Sequence, residues 1–120
     1  MGKGRGNFVE SMLKRAKETR TISVVADQVQ SPTYTYDLAQ KISELVRTEH
    51  YGLYHITNKG ECSWFSFAEK IFELVGANVE LKKIGLNEWK ARAKRPRYSV
   101  LKHQRLIELG MDDMRSWQDA

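Results

Sequence analysis

Apolar residues fall into blocks along the chain, and their spacing switches between helical and strand-like. Phe8, Met12, Leu13 and Ala16 recur on one helical face and Asn7 ahead of them suits an N-cap, so the pattern predicts a helix over residues 8–19. Ile22, Val24 and Val25 form a short β-branched run between polar residues, which predicts a strand. Pro32 keeps the chain out of helical conformation until its loop is complete. Leu38, Ala39, Ile42, Leu45 and Val46 then restore the helical period and predict a helix over residues 36–48. Residues 52–57, Gly-Leu-Tyr-His-Ile-Thr, read as a second strand closed by the turn residues Asn58, Lys59 and Gly60.

The strongest helical stripe is Trp64, Phe67, Ala68, Ile71, Phe72 and Val75, with Ser63 placed to cap its start and Gly76 to end it in left-handed conformation. That stripe is read as core. Val79, Leu81 and Ile84 alternate as a third strand, and Asn87, Glu88 and Trp89 predict a short helical turn. Residues 98–101 read as extended, Arg105, Leu106, Ile107 and Leu109 as a helix ending at Gly110, and Trp117 as the start of a last helix. Helices alternating with short strands give an α/β chain of four to five helices. Three strands are too few for a complete doubly wound sheet.

Length and composition narrow the class. At 120 residues the chain is about one domain long and supports a modest core. Hydrophobic residues at 41% and charged residues at 29% exclude a disordered or fibrous chain. The apolar runs are a few residues long, so no membrane-spanning segment is predicted, and the basic Met1-Gly2-Lys3-Gly4-Arg5-Gly6 opening lacks the apolar stretch of a secretion signal. The single Cys62 cannot form an internal disulfide, in keeping with a reducing compartment, and a cytoplasmic location is expected.

The net charge of +5 favours an anionic partner. Lys90, Arg92, Lys94, Arg95 and Arg97 crowd into eight residues, while the other basic residues are spread among acids. Pro96 makes this patch a loop. A rigid guanidinium fork suits a diphosphate, and the alternative is a solvated loop with generic attraction for anions. A nucleic-acid-binding domain is a third reading, which no recognition-helix motif supports.

Five motifs occur in order: Gly6-Asn7-Phe8-Val9-Glu10-Ser11-Met12-Leu13; Asp27-Gln28-Val29-Gln30-Ser31-Pro32-Thr33-Tyr34 followed by Asp37-Leu38-Ala39; Gly52-Leu53-Tyr54-His55; Ser63-Trp64-Phe65-Ser66-Phe67-Ala68; and Arg95-Pro96 with Ser99 and Leu101. Together, across essentially the whole chain, they resemble dTDP-4-dehydrorhamnose reductase, a branch of the extended short-chain dehydrogenases/reductases. The resemblance implies a single substrate-binding portion over residues 1–120, with residues 36–57 as the helix and strand that would complete a parent Rossmann sheet. It implies NADPH- or NADH-dependent reduction of dTDP-4-dehydro-L-rhamnose to dTDP-L-rhamnose for polysaccharide precursors. The glycine-rich cofactor turn and the catalytic tyrosine-lysine pair are expected upstream of residue 1, so the fragment alone is expected to be inactive, with no cofactor bound and no catalytic residue assigned. A non-catalytic relative, such as a methionine adenosyltransferase regulatory subunit, is the alternative parent.

Two features imitate the missing machinery. The glycines at 2, 4 and 6 follow no strand and lack G-x-G-x-x-G spacing. Tyr98 and Lys102 have the tyrosine-to-lysine spacing but follow a proline loop, in a segment that the resemblance places in the substrate lobe.

The substrate-binding residues implied are Asn7, Phe8, Gln28, Ser31, Pro32, Thr33 and Arg95, with the two proline-bearing loops expected to converge on a dTDP-sugar. Asn7 could equally be only a helix cap, and Gln28, Ser31 and Thr33 only turn chemistry around Pro32. His50, His55 and His103 show no metal-ligand spacing and receive no site. Family members include dimers with a divalent cation, but no metal is assigned here. Asp112 and Asp113 read as turn residues. Expected partners exclude nucleic acid and membrane and include self-association through residues 36–57.

Overall fold

The computed structural model describes residues 6–89 and 92–120. The expected lead-in glycines 2 and 4 and Lys90 of the basic patch lie outside the described residues. In chain order the elements are α1 (Phe8–Glu18), β1 (Thr21–Val25), β2 (Val29–Gln30), α2 (Thr35–Leu45), β3 (Cys62–Ser63), α3 (Trp64–Val75), β4 (Glu80–Ile84) and α4 (Gln104–Glu108). The chain is α/β as the pattern predicts, with a small, incomplete sheet. It divides into two compact units, the first from residues up to 28 with 63–97, the second from residues 29–62 with 98–120.

In the first unit β1 and β4 pair in parallel, Ile22 beside Leu81 and Val25 beside Ile84. Thr21 and Ser23 face solvent while Ile22, Val24 and Val25 are buried, the alternation expected when one face of a strand is covered. The cover is α1 and α3: Met12, Ile22, Val24, Phe65, Ala68, Ile71 and Phe72 form the core. Each large member stabilises the fold by about 1.5–3 kcal/mol through removal from water.

α1 begins with a capping box, in which Asn7 Oδ1 accepts the Glu10 N–H at 2.9 Å and Glu10 Oε2 accepts the Asn7 N–H at 3.4 Å. α3 begins with Ser63 Oγ accepting the Ser66 N–H at 3.0 Å and ends at Gly76 with φ +64°, a left-handed residue as predicted.

The α3 stripe is turned relative to the sequence reading. Phe65, Ala68, Ile71 and Phe72 are buried, whereas Trp64 and Phe67 are half-buried and Val75 is exposed. Trp64 and Phe67 are therefore not plain core. Both lie at the margin against Phe8 of α1, whose ring is tilted to that of Trp64 at 4.6 Å and stacked on that of Phe67 at 5.4 Å.

The second unit has little regular structure beyond α2 and α4. Residues 52–57, predicted as a strand, form none: a strand is defined by its ladder, and this segment has no ladder partner among the described residues. α2 ends at Leu45 rather than 48, with Thr48 Oγ1 donating to the Leu45 carbonyl at 2.8 Å. The short turn expected at Asn87 and Glu88 is present over residues 86–88, with Trp89 in the bend that follows, and the Leu86 N–H donates to Asp27 Oδ1 at 2.7 Å. Trp117 likewise sits in a turn after the Ser116–Lys59 bridge. The extended piece at 98–101 is visible as a parallel bridge between Val29 and Tyr98, with the Ser99 N–H on the Val29 carbonyl at 3.0 Å.

Candidate functional site

Asn7, Phe8, Gln28 and Arg95 belong to the first unit, and Ser31, Pro32 and Thr33 to the second. In the first unit the helix start gathers three of them. The Phe8 ring lies 4.6 Å from that of Trp64, and the Trp64 indole N–H donates to Gln28 Oε1 at 3.2 Å, which fixes the buried Gln28 side chain. Asn7 spends its side-chain oxygen on the cap, and the Glu10 carboxylate already sits at the positive end of the helix. The anion attraction expected of free amides there is correspondingly reduced, and the Asn7 amide NH2 is the group outside the cap.

The Arg95 guanidinium lies 5.2 Å from the centre of the Trp89 ring, both side chains exposed. Together with Leu86, Asn87, Pro96 and Arg97 they border a cavity of about 630 Å³. An indole face and a guanidinium side by side offer a stacking surface and a bidentate phosphate grip.

In the second unit the Pro32 loop is tied down. Ser31 Oγ donates to the Gly60 carbonyl at 2.7 Å, Thr33 Oγ1 to the Ser31 carbonyl at 3.2 Å, and the Tyr34 N–H to Asn58 Oδ1 at 2.7 Å. Ser31 opens onto a cavity of about 350 Å³ that also includes Lys59, Glu61, Tyr98, His103 and Asp112. Tyr98 hydrogen-bonds the Glu61 carboxylate, and this bond, with some burial, holds its phenol above the ordinary value.

The buried polar groups of this unit escaped the sequence reading. Asn58 is fully buried and donates to Asp37 Oδ2 at 2.8 Å and to the Arg115 carbonyl at 3.3 Å. Arg115 grips Asp37 with two bonds of 3.1 and 2.8 Å, and this pair, then the Asn58 bond, holds the Asp37 carboxyl below its ordinary value. Lys41 is buried between Glu44 and Asp113; burial alone would lower its pKa, but the hydrogen bonds it donates to Asp113 and Glu44 outweigh that and leave the ammonium above its ordinary value. His103 is buried between Asp112 and Thr57, Asp112 is half-buried against its ring, and Asp113 is exposed and paired with Lys41. Their only advance signal was apolar neighbours, Leu101 and Leu106. Among the described residues no group of three or more His, Cys, Asp or Glu is placed to hold a metal ion.

The family model for the RmlD substrate binding domain matches residues 1–120. This chain belongs to the RmlD substrate-binding domain family. The chain is 41% identical over 119 residues to the spore coat polysaccharide biosynthesis protein SpsK of Bacillus subtilis, covering 99% of this chain and 41% of that protein. With the dTDP-4-dehydrorhamnose reductase of Streptomyces griseus the identity is 37% over 125 residues, again 99% and 41%. A crystal structure of dTDP-4-dehydrorhamnose reductase from Bacillus anthracis in complex with NADP superposes with a TM-score of 0.93 at 44% identity, over 99% of this chain and 42% of that one. The chain thus spans about two fifths of these relatives' length.

The described residues do not fit a dinucleotide. The turn that follows β1, Ala26-Asp27-Gln28, has no glycine, and its Asp27 Oδ1 accepts the Leu86 N–H at 2.7 Å, which leaves a carboxylate where a dinucleotide turn needs bare backbone amides. Gly6 is filled by Glu10, whose Oε2 lies 2.9 Å from the place of a Cβ.

Proposed function

We propose that this chain is the sugar-nucleotide-binding portion, acting as a single substrate-binding fragment, of a reductase that converts dTDP-4-dehydro-L-rhamnose to dTDP-L-rhamnose with NADPH or NADH, for polysaccharide precursor synthesis in the cytoplasm. Alone it binds no cofactor and turns over no substrate. The observation that carries the reading is the exposed Arg95 guanidinium beside the Trp89 ring on a loop bordering an open cavity, the pairing of chemistries that a nucleoside diphosphate calls for. Two features support it further: the family match over the whole chain, and the names of the relatives.

Arg95 grips the diphosphate and Trp89 offers its face to the base. Asn7, Phe8 and Gln28 in the first unit and Ser31, Pro32 and Thr33 in the second are each assigned a neutral contact with the ligand. The nicotinamide, when present in the parent, supplies the hydride; the residues of this chain bind and orient.

Separate titrations of dTDP and NADPH, followed by amide NMR, test the assignment. dTDP is expected to shift the amides of residues 94–97 and of 28–33, NADPH to leave both sets in place, and Arg95→Ala to weaken dTDP binding by tenfold or more, the value of one charge-assisted bidentate contact. Shifts confined to exposed lysines reject the proposal.

Self-association is proposed as well, through Ile42, Val46 and Leu53, which leave an apolar surface exposed on the second unit.

A further inference from the structure

His103 is buried and faces the same cavity as Ser31, yet the proposed ligand contacts make no use of its ring. Its Nε2 receives the Thr57 backbone N–H at 3.0 Å, and its Nδ1 lies 2.9 Å from Asp112 Oδ1. A nitrogen that accepts from a backbone N–H carries no hydrogen of its own. The neutral ring therefore holds its proton on Nδ1 and donates it to the Asp112 carboxylate. The Thr57 hydroxyl lies 2.7 Å from Nε2 and 2.9 Å from the Asn58 carbonyl; with Nε2 bare its hydrogen lies toward the ring, and with Nε2 protonated it turns to the carbonyl.

A second proton can go only onto Nε2. There it meets the Thr57 N–H donor to donor, so the new Nε2–H must turn to the Thr57 hydroxyl oxygen and the backbone N–H loses its acceptor. We propose that His103 is a proton-controlled latch on residues 57–60: neutral, it holds them in the conformation described here, and protonated, it releases the Thr57 peptide.

Two connections carry the release outward. Asn58, the next residue, is the fully buried hub that accepts the Tyr34 N–H and donates to Asp37. Gly60 accepts the Ser31 hydroxyl, so movement of 57–60 is passed to the loop that holds Ser31, Pro32 and Thr33. Gly60 has φ +85°, and a glycine there lets the peptide turn where a side chain would resist.

The charges around the ring act in both directions. Asp112 favours the protonated ring; Lys59, whose Nζ donates to the Asp112 carbonyl at 2.7 Å, opposes it. The neighbouring acid Asp113 is taken up by Lys41 of α2. Glu61, paired with Tyr98, borders the same cavity, and Lys102 and Arg105 flank the ring in sequence, Arg105 lying 3.9 Å from Glu108. The inference needs no ligand and does not rest on the sugar-nucleotide reading.

The test is NMR of the 120-residue chain from pH 8 to pH 5, reading the His103 ring nitrogens and the amides of Thr57, Asn58, Gly60 and Ser31, with exposed His50 and His55 as references. The Nε2 signal is expected to move to a protonated position, and the four amides to titrate with the same midpoint. His103→Gln, whose carbonyl can accept the Thr57 N–H but cannot take a proton in this range, keeps the neutral-pH amide positions and abolishes the response. Asp112→Asn, which replaces the carboxylate that the Nδ1–H meets with a neutral acceptor, moves the ring and amide responses together; this arm decides the matter if the glutamine variant fails to fold. A ring that stays neutral throughout, a ring that titrates while the four amides stand still, a response surviving in His103→Gln, or an unmoved midpoint in Asp112→Asn overturns the latch.

Discussion

At the scale of single residues, burial decides what each reactive group does. Cys62 is buried and its thiol is pushed up to about 11 by desolvation alone, with no cationic neighbour contributing to bring it back. Its thiolate is then scarce near neutral pH. The expected result is negligible labelling by a disulfide-exchange thiol reagent at pH 8 in the folded chain and complete labelling on addition of urea. Rapid labelling of the folded chain would show that Cys62 is reached by solvent. Asn58 carries the opposite lesson. Nothing in Thr57-Asn58-Lys59-Gly60 distinguishes a turn asparagine from a buried hub, because the sequence reading rests on turn propensity and the partners Asp37 and Arg115 are 21 and 57 residues away. Asn7 and Gly76, whose partners are three or four residues off, were legible in advance.

At the scale of elements, periodicity located α1, α3 and β1 but not the rotation of α3 about its axis. The apolar positions of α3 cover more than half its circumference, from Trp64 and Phe65 round to Phe72 and Val75, so the pattern admits several orientations. Contact with β1 and α1 selects Phe65, Ala68, Ile71 and Phe72. Ala68, with no exposed surface, marks the closest approach. Ala68→Leu is expected to destabilise the first unit by about 1–3 kcal/mol through overpacking, and Leu74→Ala, at an exposed position, to change stability by about 0.5 kcal/mol or less. Urea titration followed by Trp64 fluorescence distinguishes them. Equal effects would mean that α3 is turned otherwise. The missing strand at 52–57 makes the same point for sheets: β pattern states that a segment can pair, and only a neighbour makes it a strand.

At the scale of the whole chain, charge pairs set the dependence on pH and apolar surface sets the state of association. Asp37 is held below its ordinary 3.8 by Arg115 and Asn58, so its contribution to folding is complete above that value and is lost as pH falls through the lowered one. Lys41, held above its ordinary 10.5 by bonds that outweigh burial, contributes fully below that value and loses its contribution as pH rises through the raised one. Stability of the second unit is therefore expected to fall on the acid side between about pH 4 and the limit of the measurement, and Asp37→Asn to flatten that fall while lowering stability at pH 7. An unchanged acid slope in Asp37→Asn would remove the Arg115 pair as its cause. The exposed Ile42, Val46 and Leu53 predict sedimentation that depends on concentration, with Ile42→Glu and Val46→Glu together restoring a monomer. A wild-type chain that sediments as a monomer at all concentrations counts against this surface.

The sequence by itself determined the α/β class, the main helices with their caps, the ordered motifs that identify the family, and the arginine loop as the place to look for an anion site. Those are properties of spacing and of residues within a few positions of one another. Only the tertiary structure decided which face of α3 is buried, that residues 52–57 are no strand, that Arg95 meets Trp89, and that Asn58, Asp37, Arg115, His103 and Asp112 form the polar interior of the second unit. Each of those depends on groups brought together from distant positions, where hydrogen bonding and desolvation, rather than local propensity, set the outcome.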